Sequence, residues 1–286
     1  MSIKTILVPL GGDASDNQVL ATALVVARRF DGHLNALHVM QRPQDAAPFM
    51  FDRLSKKLRD TVLQEAENDA REEAARVRAS FEAFCASNQV PLTGQGDGVS
   101  ASWCEEFGEV SDCIVRHGRV ADAITIARPE LETGNVRRTP AGRNLQAVML
   151  GAGRPVVVVP PAWQAKRIEH AAIGWNESLE ASRALAMTIP WLLQMQSVSV
   201  LVSEKRKAGV HALLEYLARH GIEAQLRVLD TGKGPVGRAM LDSCRQAGAE
   251  FLVVGGFSHS RSRQLLFGGV TQYLLNHSEI VTVMVH

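Results

Sequence analysis

Short apolar runs and amphipathic stretches alternate from the start of the chain. Residues 6–10 form an apolar run that predicts a strand, two glycines predict a turn, and residues 19–30 have helical periodicity. Gly32 is expected to end that helix, because glycine readily follows a last helical turn, and residues 34–39 predict a second strand. Strand, helix and strand within about forty residues indicate a βαβ unit and therefore a parallel sheet.

The rest of the first half continues this alternation. Residues 51–87 carry apolar side chains at three- to four-residue intervals on one face and interspersed charges on the other, which predicts a long helix with a solvated face. Residues 100–106 are compatible with a strand or a loop. The elements predicted after them are a helix at 110–117, a strand at 121–127, a helix at 140–150 and a strand at 156–159.

The pattern then begins again. Residues 171–175 match residues 6–10 in position and character, and residues 176–178 stand where residues 11–13 stood. The elements predicted for this second half are helices at 180–195, 210–220, 236–247 and 270–277, and strands at 198–202, 223–229, 251–254 and 280–285. A repeat of this length indicates duplicated domains and not a solenoid, whose period is about 20 to 50 residues.

The repeat predicts an α/β chain of two tandem domains, each a five-stranded parallel sheet with helices on both faces. We expect the first domain to span residues 1–161 and the second residues 168–286. The linker is expected in residues 162–170, after a strand that is closed by prolines.

Composition narrows the functional classes. The 286 residues are 46% hydrophobic and 21% charged, which supports folded cores, and the net charge of +1 gives no long-range attraction to nucleic acid or acidic membranes. The first residues lack the apolar stretch and cleavage site of a signal peptide, and the longest apolar runs, such as 156–161, are too short to span a bilayer. The expected location is the cytoplasm, with neither nucleic acid nor membrane as a partner.

The cysteines give no sign of a metal or redox site. Cys85, Cys104, Cys113 and Cys244 form no Cys-x-x-Cys pair, and no histidine cluster accompanies them at zinc spacing. We expect reduced thiols that fill helix or loop positions.

Candidate ligand sites follow from the topology. In open parallel sheets ligands bind beyond the carboxyl ends of the strands, where the strand order reverses. That rule selects residues 10–12, 175–177 and 255–256. Asp13 and Asp16, near the first of these turns, are expected to cap the following helix and not to bind a metal ion.

The most informative stretch is 253–271, where a buried strand ends in glycine, a polar loop follows, and two further glycines lead into a helix. Small residues let backbone N–H groups approach an anion, and a helix N-terminus adds partial positive charge. Arg261 and Arg263 are placed to add charge-assisted contacts to phosphate. The stretch predicts a phosphate site, with simple turn glycines and solvated arginines as the alternative.

This stretch resembles the loop of universal stress proteins that bind ATP, which carry Gly-x2-Gly-x9-Gly-Ser/Thr after the fourth strand. The chain has Gly255-x2-Ser258-x9-Gly268-Gly269, so the spacing is kept while Ser258 and Gly269 depart from the family's residues. The resemblance covers nearly the whole chain, which is similar to the tandem, two-domain form of that family.

The resemblance implies two flavodoxin-like, HUP-type domains that pair through their last strands as an internal pseudo-dimer, with a homodimer as a further association. It also implies a stress-response protein that holds ATP, an adenine nucleotide, together with Mg²⁺ in the second domain. The residues implied at this site are Trp175, Asn176, Gly255, Ser258, His259, Arg261, Gly268, Gly269, Val270 and Thr271. Asn176 and Gly11 stand where the family usually has an aspartate that contacts adenine.

The first half lacks the glycine loop. Residues 128–134 follow its fourth strand, and no Gly-x2-Gly spacing appears there. We therefore expect a degenerate, nucleotide-free domain that keeps a structural or pairing role.

Two other functions stay open from the sequence. Ser258, Gly269 and Gly11 also fit a scaffold or partner-binding stress protein whose loops have lost ATP affinity. An enzyme is disfavoured, because His259 and His277 have no evident carboxylate or nucleophile partner, and the chain has neither a nucleophile elbow nor a full Walker loop. At most slow ATP hydrolysis is expected.

Overall fold

The structure is a computed structural model of the chain. It describes residues 2–41, 55–92, 98–129, 139–161, 163–164, 167–232, 234–256 and 269–286. All statements below concern these residues.

Strands and helices alternate in the first half. Its elements are β1 (Thr5–Pro9), α1 (Asp16–Phe30), β2 (His33–Met40), α2 (Lys56–Ser87), β3 (Ser100–Phe107), α3 (Val110–Gly118), β4 (Ala123–Ala127), α4 (Pro140–Gly151) and β5 (Val156–Val159). The segment that the sequence left open between strand and loop is the strand β3, which pairs with β2 over its whole length. The predicted start of the long helix, residues 51–54, lies outside the described residues.

The second half repeats the order. Its elements are β6 (His170–Trp175), α5 (Leu179–Leu192), β7 (Ser197–Ser203), a 3-10 helix (Glu204–Gly209), α6 (Val210–Arg219), β8 (Ala224–Leu229), α7 (Val236–Ala247), β9 (Phe251–Gly255), α8 (Gly269–His277) and β10 (Val281–Val285). Two details differ from the sequence prediction: α5 ends at Leu192 instead of residue 195, and the 3-10 helix was not predicted. Pro190 lies in the last turn of α5. Because proline has no N–H, this turn lacks one of the backbone hydrogen bonds of a regular helix.

The ten strands form one continuous sheet in the order β3-β2-β1-β4-β5-β10-β9-β6-β7-β8. Each half has the same internal order and parallel pairing, so the predicted pair of parallel α/β units is confirmed. In each half the order reverses beside the first strand, between β1 and β4 and between β6 and β9. These two switch points are where a ligand site is expected.

The two halves meet through their last strands. β5 and β10 pair antiparallel, with Val157 opposite Val283 at the centre, and both residues are buried. This seam confirms the predicted internal pseudo-dimer and removes two apolar strand edges that would otherwise invite aggregation. Two arginines of the first half reach carbonyl groups of the second: Arg128 donates to the Ser278 carbonyl at 2.8 Å, and Arg29 donates to the carbonyls of Ile168 and Gln194.

Each face of the sheet carries one core that continues across the seam. One cluster joins residues of α1, α2, α5 and α6, with Phe81 and Leu217 fully buried. The other joins residues of α3, α4, α7 and α8, with Leu145 fully buried. Because both cores span the two halves, packing as well as strand pairing holds the halves together.

The four cysteines are free thiols. Burial raises the pKa of Cys85 and of Cys113 to about 11, and the pKa of Cys244 to about 12. Such thiols stay protonated near neutral pH and are poor nucleophiles, which agrees with a packing role.

Candidate functional site

Strand register matches the two carboxyl edges residue by residue. Ile6 pairs with Ala123 as Ala171 pairs with Phe251, so Ala127 at the end of β4 is equivalent to Gly255 at the end of β9. The same register makes Gly12 equivalent to Glu177. Both of these residues have a left-handed backbone, with φ of 84° at Gly12 and 62° at Glu177. The turn is therefore the same in both halves, although its residues differ.

In the second half, side chains of the turn are bound to the start of α5. The Asn176 side-chain oxygen accepts from the Ser178 backbone N–H at 3.1 Å, and the Ser178 hydroxyl caps the helix by accepting from the Ala181 N–H at 3.1 Å. Glu177 forms an ion pair with Arg206 of the 3-10 helix. The side-chain oxygen of Asn176, the residue expected beside an adenine, is thus engaged in holding the turn.

Gly255 lies against the first turn of α5. A methyl group placed on Gly255 would come within 2.6 Å of the Glu180 carbonyl carbon and 2.9 Å of its Cβ, and would also collide with the Ala181 nitrogen. The close approach of helix and strand end therefore requires glycine at this position. Gly256, which follows, is tied down by donating its N–H to the Val285 carbonyl at 2.7 Å.

Some of the other predicted site residues lie in the described part of the chain and some lie outside it. Gly269, Val270 and Thr271 form the first turn of α8, where Gly269 is exposed and Thr271 is buried. The residues Ser258, His259, Arg261 and Gly268 lie outside the described part of the chain, as does Arg263. Trp175 is half-buried at the end of β6 and packs against the core. His277 stacks on Tyr273 at 4.1 Å between ring centroids and contacts its carbonyl.

In the first half, the two aspartates of the turn accept hydrogen bonds from opposite directions along the chain. Asp16 accepts from the Gly11 N–H at 3.1 Å and from the Gly12 N–H at 2.8 Å. Asp13 accepts from the N–H and the hydroxyl of Ser15. The prediction that these aspartates cap α1 is wrong: Ser15 is the cap residue, and no side chain hydrogen bond caps the helix. Asp16, at the first helical position, instead fixes the turn that precedes it.

The Asp16 carboxyl is only partly accessible to water. Burial raises its pKa above the ordinary 3.8, hydrogen bonds from Gly12 and Gly11 act in the opposite direction, and the neighbouring Asp13 charge raises it further. A carboxylate in this position is poorly solvated and lies beside a second negative charge.

A cavity of about 450 Å³ opens at this edge of the first half. It is lined by residues from β1, β2, α1, α2, α3 and α4, including Leu10, Asp16, Glu73 and Asn144. Sequence reasoning selected the turn at residues 10–12 but expected no ligand in this half. Glu73 and Asn144 are distant in the sequence, and no motif marks them, so only the fold brings them to the turn.

Residues 2–160 match the sequence model described as the Universal stress protein family. The chain belongs to this family. The matched segment is the first half, which has the cavity but lacks the family's glycine loop. No curated protein matches the sequence significantly.

Solved structures of other proteins share the fold of this universal stress protein family member. A universal stress protein from Archaeoglobus fulgidus aligns with a TM-score of 0.68 at 13% identity, over 99% of this chain and 96% of that one. A protein of unknown function from Pseudomonas aeruginosa aligns with a TM-score of 0.57 at 15% identity, over 99% and 92% of the two chains. At these identities the similarity shows the fold alone.

A universal stress protein in complex with cAMP also aligns, over 56% of this chain and 99% of that one. Its identity is 16% and its TM-score 0.32, too low to carry an argument about ligands of this chain. Among the described residues, no group of three or more His, Cys, Asp or Glu side chains is arranged to hold a metal ion. None of the described helices combines the length and apolar character that crossing a membrane requires.

Proposed function

We propose that this universal stress protein binds an adenine nucleotide, ATP, in its second half, beyond the ends of β6 and β9. The observation that carries the proposal is Gly255, which ends β9 beside the switch point and opens the family's loop spacing. Sites of this kind are the usual ligand positions of open α/β sheets.

The two ends of the loop suit a phosphate. At one end, Gly255 lets the backbone run close to the first turn of α5. At the other, α8 begins at Gly269, where an added side chain would meet no described atom within 4 Å. Backbone N–H groups and the helix dipole favour an anion there. Asn176 and Trp175, at the end of β6, are the proposed base contacts, and Mg²⁺ would accompany the phosphates.

Titration calorimetry of the full chain with ATP and Mg²⁺ tests the proposal. The expected dissociation constant is about 1–100 μM, a usual range for a sensing site. Gly268→Asp places a negative charge in the loop and should weaken binding by at least about tenfold, because like charges repel. The matched control is Gly134→Asp, which places the same charge in the corresponding loop of the first half and should leave ATP binding unchanged.

Equal binding by the two aspartate variants, or no heat from the wild-type chain at high concentration, would contradict the proposal. Hydrolysis is expected to be slow at most, since the described residues at this edge include no base oriented on a nucleophile. The first half is proposed to bind no nucleotide.

A second candidate function is a scaffold or partner-binding stress protein without nucleotide. Two observations favour it: the Asn176 oxygen is engaged in the turn, and Glu177 places a carboxylate at the same edge. Mass spectrometry of freshly purified protein separates the two functions, because a co-purified adenine nucleotide would rule out the scaffold reading.

A further inference from the structure

The cavity at the carboxyl edge of the first half has the size and the walls of a small-molecule site. Its volume of about 450 Å³ lies within the usual range for such sites. Val19, Val39, Ile114 and Ile126 contribute apolar wall from both faces of the sheet. A ligand with an apolar body would be largely removed from water here.

Three carboxylates line the same cavity. Asp13 and Asp16 come from the turn before α1, and Glu73 comes from the middle of α2. Glu73 reaches that turn, because its Oε1 lies 3.4 Å from the position a Cβ on Gly12 would take. The fold therefore concentrates negative charge on one side of a cavity whose other described walls combine apolar side chains with a few neutral polar ones such as Asn144.

The described lining residues include no lysine or arginine to balance these charges. The one basic side chain among them is His38, whose Nδ1 donates to the Leu10 carbonyl at 2.9 Å. In the neutral ring that bond leaves Nε2 as a hydrogen-bond acceptor. A phosphate group would thus meet three carboxylates and an acceptor, whereas a positively charged donor would meet complementary groups.

Among the described residues, these carboxylates are not arranged as a metal site of three or more ligands. Asp13 is already bonded to Ser15, and Asp16 accepts from two backbone N–H groups, so each carboxylate is fixed in a separate place. An ammonium group has three donors on one nitrogen and needs no regular coordination shell.

We propose that this cavity binds a small organic cation, with its ammonium group at Asp16 and Glu73 and an aromatic or branched apolar body against the valine and isoleucine walls. The site is separate from the proposed nucleotide site and stands whether or not the second half binds ATP. It gives the first half a ligand of opposite charge to the one proposed for the second.

Three probes that differ mainly in charge test this inference by titration calorimetry on the full chain. Tryptamine is cationic, tryptophol is neutral and indole-3-acetate is anionic, and all three carry the same ring. We expect a dissociation constant of about 0.1–1 mM for tryptamine and at least about tenfold weaker binding of indole-3-acetate, with tryptophol between them.

Variants place the binding in the cavity. Glu73→Gln should weaken tryptamine binding by about three- to tenfold and leave tryptophol unchanged, because only the charge is removed. The matched control, Glu72→Gln, changes the preceding exposed residue of the same helix, which does not line the cavity, and should have no effect. The inference is overturned if tryptamine gives no heat at about 10 mM, if indole-3-acetate binds as tightly, or if Glu72→Gln and Glu73→Gln behave alike.

Discussion

The turn after β1 and the turn after β6 occupy equivalent places in the two halves, yet they hold the following helix differently. In the second half α5 begins two residues earlier than α1 does in the first, and its first turn packs directly on Gly255. In the first half the equivalent strand end is Ala127, which lines an open cavity. One backbone turn therefore supports direct packing of the helix on the strand end in one half and a cavity at the strand end in the other.

The two turns also differ in the charge that they place at the carboxyl edge of the sheet. In the first half the Asp16 carboxylate accepts from the N–H groups of Gly11 and Gly12, and carboxylates line the cavity. In the second half the equivalent position is Ala181. The turn is held by the neutral side chains of Asn176 and Ser178, and its Glu177 carboxylate is paired with Arg206. Duplication of the fold thus preserves topology, while a few residues at the switch point set the charge that each half presents there.

The strongest test of this comparison exchanges the residues at the two strand ends. Gly255→Ala should lower the free energy of unfolding by about 2–3 kcal/mol, because its methyl group meets backbone atoms of Glu180 and Ala181 that cannot move without shifting α5. Ala127→Gly in the first half should cost only about 1 kcal/mol, from added chain entropy. Urea denaturation measures both. A cost below about 0.5 kcal/mol for Gly255→Ala would show that α5 is free to move away.

A second exchange tests the left-handed residue of each turn. Gly12→Ala should destabilise by about 1–2 kcal/mol, because φ is 84° and the new methyl group would lie 2.9 Å from Val77 Cγ2. Glu177→Gly should change stability by less than about 0.5 kcal/mol, since relief of the backbone offsets the lost ion pair with Arg206. Thermal denaturation shows which of the two variants loses more stability. A larger loss for Glu177→Gly than for Gly12→Ala would show that the turns are not equivalent.

The ion pair across the second edge should matter less. Both partners are substantially exposed, so Arg206→Ala is expected to cost about 0.2–1 kcal/mol. Lys205→Ala removes the same charge from the neighbouring exposed position and serves as the control in urea denaturation. Because an exposed pair is screened by salt, the difference between the two variants should shrink at high ionic strength, and a difference that grows would contradict this account.

The smallest effect is expected from the titration of Asp16, which is only half-buried. Its pKa is raised above 3.8, so the folded chain binds more protons than the unfolded chain just above that pH. The stability of the wild type relative to Asp16→Asn should therefore fall as pH rises from 3.8 through the raised pKa, and then stay constant. Urea midpoints between about pH 3.5 and pH 7 measure this difference, and a rise with pH would contradict the predicted direction.

Local patterns were enough to predict most of the fold. Apolar runs and helical periodicity predicted every strand and every α-helix of the described chain to within a few residues, apart from β3, which the sequence left open between strand and loop. The resemblance implied that the two last strands pair, and the antiparallel pairing of β5 with β10 confirms it. The domain limits 1–161 and 168–286 stay a prediction, with His170 already part of β6.

The candidate sites were less predictable. The sequence predicted Asp13 and Asp16 only as helix caps, because local sequence does not determine which backbone N–H groups a carboxylate will bind. Glu73 carries no signal at all within a long, highly charged helix. Its place beside Gly12 depends on how α2 crosses the sheet, which is a long-range property.

The sequence by itself determined the alternation of strands and helices, the duplication and the apolar last strands, because burial patterns and turn residues act over short distances along the chain. The tertiary structure alone decided which strand end borders a cavity and which packs against the following helix. That choice depends on how closely α1 and α5 approach their strands, and it is set by contacts between residues far apart in sequence, such as Gly255 with Ala181 and Gly12 with Val77.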